Sequence, residues 1–309
     1  MQGMKAIYFD EHGGADVLKY GDQPDPTPKA DEVLIDIHAA SVNGADWKVR
    51  EGDYAKLPLP HILGRDFSGV VSAVGADVTD LKVGDEVFGV CAVGQEGAYA
   101  EKIAVKAAIV AKKPAGMTHA QAAALALTGL TALSAVEDTI KLKPGETILV
   151  QGGAGGVASF AIQAAKHIGA RVITTGSAKN ADYLRSLGAD EVIDYNATDF
   201  TKAVKDVDAV FDTVGGDVAA RSFSVVRPGG RAAFIASGAK APPSPRDDVQ
   251  SLRPAVGRAR APLDRVAQLF TQGAVKAPEI TIYKLQDAAA AHRVSESRHL
   301  RGKLVFQIR

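Results

Sequence analysis

Between Thr147 and Ser177 the chain reads TILVQGGAGGVASFAIQAAKHIGARVITTGS, and the residue types there that could hold a ligand are glycines. An apolar run, Ile148 to Val150, meets Gly152, Gly153, Gly155 and Gly156; an alanine-rich helical pattern follows, then a second apolar run from Arg171 to Thr175. Strand, tight turn, helix and strand, within about thirty residues, make a right-handed parallel crossover. Gly153, Gly155 and Ala158 fit the spacing G-x-G-x-x-G/A, in which small residues permit a tight turn, a close backbone approach to a pyrophosphate and close helix packing. Free N–H groups at the helix start would face that pyrophosphate, which makes Gly153, Ala154, Gly155, Gly156 and Val157 candidate cofactor-binding residues. Glycines also gather in ordinary tight turns. The context favours a dinucleotide: Val157, Ala161, Ala164, Ala165 and Ile168 form a buried helical stripe, and Gly169 sits where a C-cap belongs.

An NAD site would place an Asp or Glu at the end of the second strand to take the ribose hydroxyl. Here the chain reads Thr174, Thr175, Gly176, Ser177, Ala178, Lys179, Asn180. A hydroxyl, an ammonium and an amide are available to a 2′-phosphate and no carboxylate repels it, which favours NADPH. The alternative is a solvated turn.

The elements that position these residues follow from the rest of the chain. Its 309 residues suffice for two domains, and 36 basic against 36 acidic residues leave no net charge to draw it to nucleic acid or an anionic membrane. A lone cysteine, Cys91, rules out an intrachain disulfide and cysteine-rich zinc sites. The first residues lack a signal-peptide core, and no apolar run approaches the roughly twenty residues of a membrane span. A cytoplasmic protein is expected.

Residues 5–9, 33–39, 67–74, 86–90 and 98–105 read as short strands separated by Gly, Pro and Asp clusters, which suggests a small, partly open barrel. Residues 118–140 read as two helices broken near Thr128 and Gly129. After the glycine loop, strands at 171–175, 191–194, 208–213 and 231–236 alternate with helices, giving a doubly wound parallel sheet of the α/β class. The pattern fails between Gly238 and Pro262, where several prolines and arginines make either a surface excursion or a lid. The tail supplies helix, strand, helix and strand that return to the first domain.

With these blocks in order, the chain resembles the zinc-independent quinone oxidoreductases of the medium-chain dehydrogenase/reductase superfamily, the zeta-crystallin-like and alkenal/alkenone reductase group. The resemblance rests on SVNGADWKVREGDY (41–54), LPHILGRDFSGVV (59–71), VGDEVFG (83–89), LTGLTA (127–132), VQGGAGGVASFAIQAAK (150–166), LGADEVIDY (187–195), FDTVGG (211–216), RPGGR (227–231) and RGKLVF (301–306). It implies a GroES-like catalytic domain from residues 1–125 and 261–309, and a Rossmann NADPH-binding domain from residues 126–260.

Zinc-dependent relatives place ligands where this chain has Asn43 and Arg65, so neither a catalytic nor a four-cysteine site can be built, and no metal is expected. The histidines form no close ligand pair, though His38 and His61 could approach one another. By resemblance, Asn43 and Asp46 border nicotinamide and substrate, and Tyr54 lies at the mouth of the site, where its phenol could donate to an enolate or quinol oxygen. The plainer alternatives are that Asn43 ends a strand, Asp46 caps the next helix and Tyr54 packs in a turn. Thr128 is similar to a family threonine at the nicotinamide end, and Tyr195 to a tyrosine beside the 2′-phosphate. Val214, Gly215, Ile235, Ala236 and Ser237 lie at carboxyl ends of parallel strands, where such sheets bind ligands. Lys303 either reaches the cofactor or is a solvated strand residue.

The expected activity is NADPH-dependent hydride transfer to quinones or α,β-unsaturated carbonyl compounds. Alternatives are an enoyl-thioester reductase, whose coenzyme A phosphate would use arginines of the 238–262 loop, and a non-enzymatic NADPH-binding regulatory or structural protein. A homodimer is expected by resemblance, with Arg231 to Ile235 a candidate apolar sheet edge.

Overall fold

The computed structural model describes residues 3–54 and 57–309. In chain order its strands and helices begin with β1 (Met4–Phe9), β2 (Lys19–Gln23), β3 (Glu32–Ser41), α1 (Gly44–Glu51), β4 (His61–Ile62), β5 (Asp66–Val74), β6 (Glu86–Val90), β7 (Lys102–Lys106), β8 (Val110–Lys112) and α2 (His119–Leu133). Next come β9 (Thr147–Gln151), α3 (Gly156–Ile168), β10 (Arg171–Gly176), α4 (Ala181–Ser186), β11 (Glu191–Asp194), α5 (Phe200–Ala203), β12 (Val207–Asp212), α6 (Gly216–Ser222), β13 (Val226–Phe234) and β14 (Gln250–Leu252). The tail is α7 (Arg260–Thr271), β15 (Ile280–Lys284), α8 (Ala288–Glu296) and β16 (Lys303–Gln307). Two compact units result: Met1–Leu127 with Arg258–Thr271 and Ala277–Arg309, and Thr128–Gly257 with Gln272–Lys276.

The first unit holds a small sheet ordered β2-β1-β4 and a larger one ordered β15-β16-β3-β5-β6-β8, with β7 also on β3. Strand β3 explains the arrangement. Val33, Ile35 and Ile37 are buried while their neighbours are partly exposed, the alternation of a sheet with one covered face; from Ala39 to Ser41 every residue is buried. At that buried end β16 pairs antiparallel, Val305 opposite Ser41 and Phe306 opposite Ala40, which carries Lys303 to the residues that follow β3. Phe9, Ile35, Ile37, Phe67, Tyr99 and Phe306 belong to the same core.

In the second unit six parallel strands are ordered β11-β10-β9-β12-β13-β14. Counted within the unit this is 3-2-1-4-5-6, so the order reverses between β9 and β12, where open sheets of this kind bind ligands. The central strands read as continuous apolar runs because helices cover both faces: Ile148, Leu149, Val150, Val210 and Phe211 are all fully buried.

Four expectations need correction. Helix α2 is not broken at Thr128 or Gly129; it runs on to Leu133 and continues as a π-helical turn, Ser134–Thr139. The buried glycine costs helix propensity, but burial over most of the helix outweighs about 1 kcal/mol. That same segment, His119–Thr139, is 21 residues long and holds an 18-residue window of mean hydropathy 1.3, so an apolar run of membrane-spanning length does exist; 78% of that window is buried inside the protein. Residues 98–101 are not strand; β7 begins at Lys102, with an isolated bridge from Ala100 to Ala6. Finally, Arg231 to Ile235 is no sheet edge. Within the 238–262 stretch the chain returns as β14, Arg231 pairing with Gln250 and Ala233 with Leu252, so the edge is Gln250–Leu252.

Candidate active site

The glycine turn of the second unit distinguishes its glycines by packing. Gly153 is held by its N–H to the Thr175 carbonyl at 2.9 Å, and a Cβ there would lie 2.3 Å from Thr174 Oγ1 and 2.9 Å from a Leu184 methyl. Only glycine fits. Gly152 takes φ of +77° and gives its N–H to Thr175 Oγ1 at 3.0 Å. At Gly155, the N-cap of α3, φ is −70° and a Cβ would find only the Gly152 carbonyl, at 3.6 Å. Space is therefore open over Gly155, while the N–H groups of the first turn of α3 lack intrahelical acceptors and carry the positive end of the helix dipole. Ala154, Gly155, Gly156 and Val157 are partly exposed there; Ala158 is buried against the sheet.

The ends of β10 and β11 bring Ser177 and Tyr195 together, since Gly176 pairs with Asp194 and the Tyr195 N–H reaches the Gly176 carbonyl at 3.2 Å. Asn180 Nδ2 donates to Ser177 Oγ at 3.3 Å, Tyr195 is 56% exposed, and exposed Lys179 has no ion pair among the described residues. One carboxylate passed over in the sequence, Asp194, is turned onto the Asn196 N–H at 3.0 Å. On the other side of the switch point, buried Asp212 accepts the N–H groups of Val214 at 3.2 Å and Gly215 at 2.9 Å, and burial pushes its carboxyl above the usual range. Gly215, with φ of +85°, lies so close to Ala236 that a Cβ would meet the Ala236 carbonyl at 2.9 Å. Ile235 N–H donates to Asp212 O at 3.3 Å, and Ser237 gives its hydroxyl to Lys240 O at 2.8 Å. Thr128, inside α2, is 3% exposed.

In the first unit Asn43, Asp46 and Lys303 meet. Asn43 is the N-cap of α1, and its own N–H donates to Asp46 Oδ2 at 2.9 Å, the return arm of a capping box. Lys303 is not solvated: it is 5% exposed and its Nζ donates to Val42 O at 2.7 Å and Asn43 Oδ1 at 2.8 Å. Asn43 Nδ2 in turn donates to Asp66 Oδ1 at 3.2 Å, and Ser41 Oγ donates to the same oxygen at 2.8 Å. Desolvation lowers the Lys303 ammonium and raises the Asp66 carboxyl from their ordinary values, each effect opposed by the other's charge. Asp46, wholly buried, is pushed up to about 7 by desolvation; a 2.6 Å hydrogen bond from the Tyr99 hydroxyl, the Asn43 N–H and Arg65 oppose this, while Glu96 adds to it.

Tyr54 stands apart. It is 48% exposed, with the Arg65 guanidinium 5.8 Å from its ring centre. Arg65 Nε also donates to Glu96 at 3.3 Å, and Glu96 holds His61 at 2.6 Å. His38 pairs not with His61 but with His119, ring centres 4.4 Å apart, and no group of three potential metal ligands occurs among the described residues. The arginines of the 238–262 stretch are tied to backbone: Arg246 to Phe223 O and Val226 O, Arg253 to Phe234 O, Arg258 to Cys91 O, and Arg260 to Ala107 O and Val110 O. These bonds fasten the stretch to neighbouring backbone. Sequence reasoning missed Arg50, Asp66, Tyr99 and His292. Asp66 had a signal, its place in the GRD block; the others become neighbours only through long-range packing.

Two domain families match: a zinc-binding dehydrogenase domain over residues 187–306 and an alcohol dehydrogenase GroES-like domain over residues 29–115. The chain is 39% identical over 259 residues to an NADPH-dependent alkenal/one oxidoreductase of Arabidopsis thaliana chloroplasts, covering 80% of this chain and 66% of that relative. It is 33% identical to a quinone oxidoreductase of Pseudomonas aeruginosa, over 98% of this chain and 99% of the relative. An Escherichia coli quinone oxidoreductase solved in complex with NADPH superposes with a TM-score of 0.90 at 30% identity, covering 98% of this chain and all of that one (100%). The α/β architecture, a GroES-like barrel with a Rossmann sheet of order 3-2-1-4-5-6, and similarity running nearly end to end place this chain in the quinone oxidoreductase family of the medium-chain dehydrogenase/reductase superfamily.

Proposed function

We propose that the chain is an NADPH-dependent oxidoreductase that reduces quinones or α,β-unsaturated carbonyl compounds without zinc. The observation that carries this is the open space over Gly155 in a turn whose neighbouring glycine, Gly153, is closed by packing. Such a turn leaves room for a pyrophosphate against the α3 N-terminus. Ser177, Lys179, Asn180 and Tyr195 would hold the 2′-phosphate; Val214, Gly215, Ile235, Ala236, Ser237 and Thr128 would line the remainder. When bound, NADPH supplies the hydride. The protein's part is to position the acceptor carbon and manage the proton. Asn43, held between Lys303 and Asp66, gives that site fixed dipoles, and a buried ammonium 2.8 Å from the amide oxygen opposes a divalent cation beside Asn43. The substrate class follows the relatives' activities. A pair of copies would meet along the β14 edge, Gln250–Leu252.

The test is a panel of quinones, enals, enones and enoyl thioesters followed by NADPH oxidation, repeated with NADH and after chelation. Activity on quinones or enones with NADPH preferred is the expected result; Lys179→Glu should weaken NADPH selectively, by about 1.5 to 3 kcal/mol. Equal use of NADH by the unmodified protein, or activity restored only by zinc, would refute the reading.

A further inference from the structure

Beneath Asp46 lies a buried row of side chains from three separate segments: Tyr99, His292 on α8, and Arg50 on α1, all fully buried. Arg50 Nη1 stands 2.8 Å from His292 Nδ1, His292 Nε2 stands 3.2 Å from the Tyr99 oxygen, and the Tyr99 hydroxyl stands 2.6 Å from Asp46 Oδ2. We propose that Arg50, His292 and Tyr99 are positioning residues that act on Asp46, a one-way chain of donors that keeps Oδ2 an acceptor and leaves Oδ1 as the atom at which this carboxyl carries its proton.

The direction of each bond follows from the chemistry of the groups. A guanidinium has donors and no acceptor, and it does not lose its proton in a protein, so Arg50 can only give a hydrogen to Nδ1. Burial and the Arg50 charge push the His292 imidazole down to about 3, so it is neutral. A neutral ring that accepts at Nδ1 must carry its hydrogen on Nε2, and it gives that hydrogen to the Tyr99 oxygen. Tyr99 has one hydrogen left to give. It goes to Asp46 Oδ2, which also receives the Asn43 N–H at 2.9 Å.

Asp46 Oδ1 is buried and has no hydrogen-bond partner among the described residues; Arg65 Nε lies 4.0 Å away. Around the carboxyl stand Tyr99 and Glu96 from the segment before β7, Arg65 from the segment before β5, Asp66 on β5 and Lys303 on β16, with His292 and Arg50 behind the phenol. At the far end Arg50 is neutralised by Glu296 and by Glu51 at 3.3 Å, and its Nε donates to Gly13 O at 3.0 Å. That ion cluster fixes the polarity of the whole row. The inference deepens the reductase reading, since a proton held at one stated oxygen is what delivery to a substrate requires, but the geometry stands without it.

The test needs neither cofactor nor substrate. Protein labelled with ¹³C at its aspartate carboxyls is titrated by NMR, and Asp46→Asn identifies the Asp46 signal, expected to have its midpoint near 7. His292→Gln offers an oxygen to Arg50 and an N–H to Tyr99, so the midpoint should stay in place. Tyr99→Phe removes the donor and His292→Glu turns the phenol's hydrogen away from Asp46; each should raise the midpoint by about one unit or more. A glutamate also raises it by charge alone. In the Tyr99→Phe background, therefore, His292→Glu should add only that charge effect, a smaller shift than it produces with the phenol in place. Equal shifts by His292→Glu with and without the phenol, or an unmoved midpoint in Tyr99→Phe, would overturn the donor chain. Failure of the substrate panel would leave this result untouched, so the two readings fail separately.

Discussion

Lys303, Asn43 and Asp66 pose the usual question about a buried charge: what returns the hydration energy it has lost. Lys303 recovers part of it from two oxygen acceptors at 2.7 and 2.8 Å, and Asp66 accepts from Ser41 and Asn43 besides feeling the ammonium. Removing one member strands the others at several kcal/mol, so such a cluster is a fixed scaffold. Tyr54 is the contrast. Half exposed, with the Arg65 guanidinium over its ring, it can lose its hydroxyl with little disturbance of packing, and phenylalanine keeps the cation–π contact. Tyr54→Phe thus isolates the phenol as a proton donor. If it protonates an enone's developing oxyanion, turnover on enones should fall by at least about tenfold. Quinone turnover should fall less, because a quinolate is a weaker base that takes its proton from water more readily. Steady-state rates of the one variant on both substrates check this, and unchanged enone turnover would assign Tyr54 to packing. At this scale Asn43 and Asp46 stood out through the family resemblance of the SVNGADWKVREGDY block, with a helix cap as the plainer role for Asp46. The sequence could not reveal Arg50, Tyr99 and His292, whose contacts span the chain and carry no periodicity.

Elements were legible where burial imposes a period. The crossover from β9 through α3 to β10 reads directly, because two buried strands and an apolar helical stripe leave few alternatives. Strand β14 did not, since three residues in a proline-rich stretch offer no alternation to read, and its pairing with β13 is decided by tertiary contact. The continuous α2 differs for the opposite reason: a glycine marks a break in an exposed helix and not in one buried over most of its length. Glycine in the β9–α3 turn yields a sharper expectation, because two glycines of one motif have different surroundings. Gly153→Ala drives a methyl into Thr174 Oγ1, Leu184 and Ile162, and should destabilise the protein by about 1 to 3 kcal/mol, as overpacking does. Gly155→Ala has both room and an ordinary φ, so its stability should change by less than about 1 kcal/mol while NADPH affinity falls at least about tenfold. Urea unfolding and cofactor titration of the two variants separate the cases; equal loss of stability would mean that both glycines serve the turn alone.

For the whole molecule, Asp46 and His292 tie stability to pH with opposite signs. Asp46 has an ordinary value of 3.8 and about 7 in the fold, so between those values the folded chain keeps a proton that the unfolded chain releases, and stability falls as pH rises. His292 has an ordinary value of 6.5 and about 3 in the fold, so across that interval the unfolded chain takes up a proton that the folded chain refuses, and stability falls as pH falls. Each slope reaches about 1.4 kcal/mol per pH unit, and they overlap from about 4 to 6.5. There they cancel. His292→Gln keeps the hydrogen-bond polarity while deleting the imidazole's titration, so only the Asp46 slope should remain: between about pH 4.5 and 6 the variant should lose about 1.4 kcal/mol per unit relative to the parent as pH rises. Asp46→Asn should show the reverse, gaining on the parent over the same range. Asp66, also raised by burial, is common to all three proteins and drops out of the comparison. Urea unfolding at four pH values measures the differences, and parallel curves for parent and His292→Gln would mean that the imidazole is not held neutral in the fold.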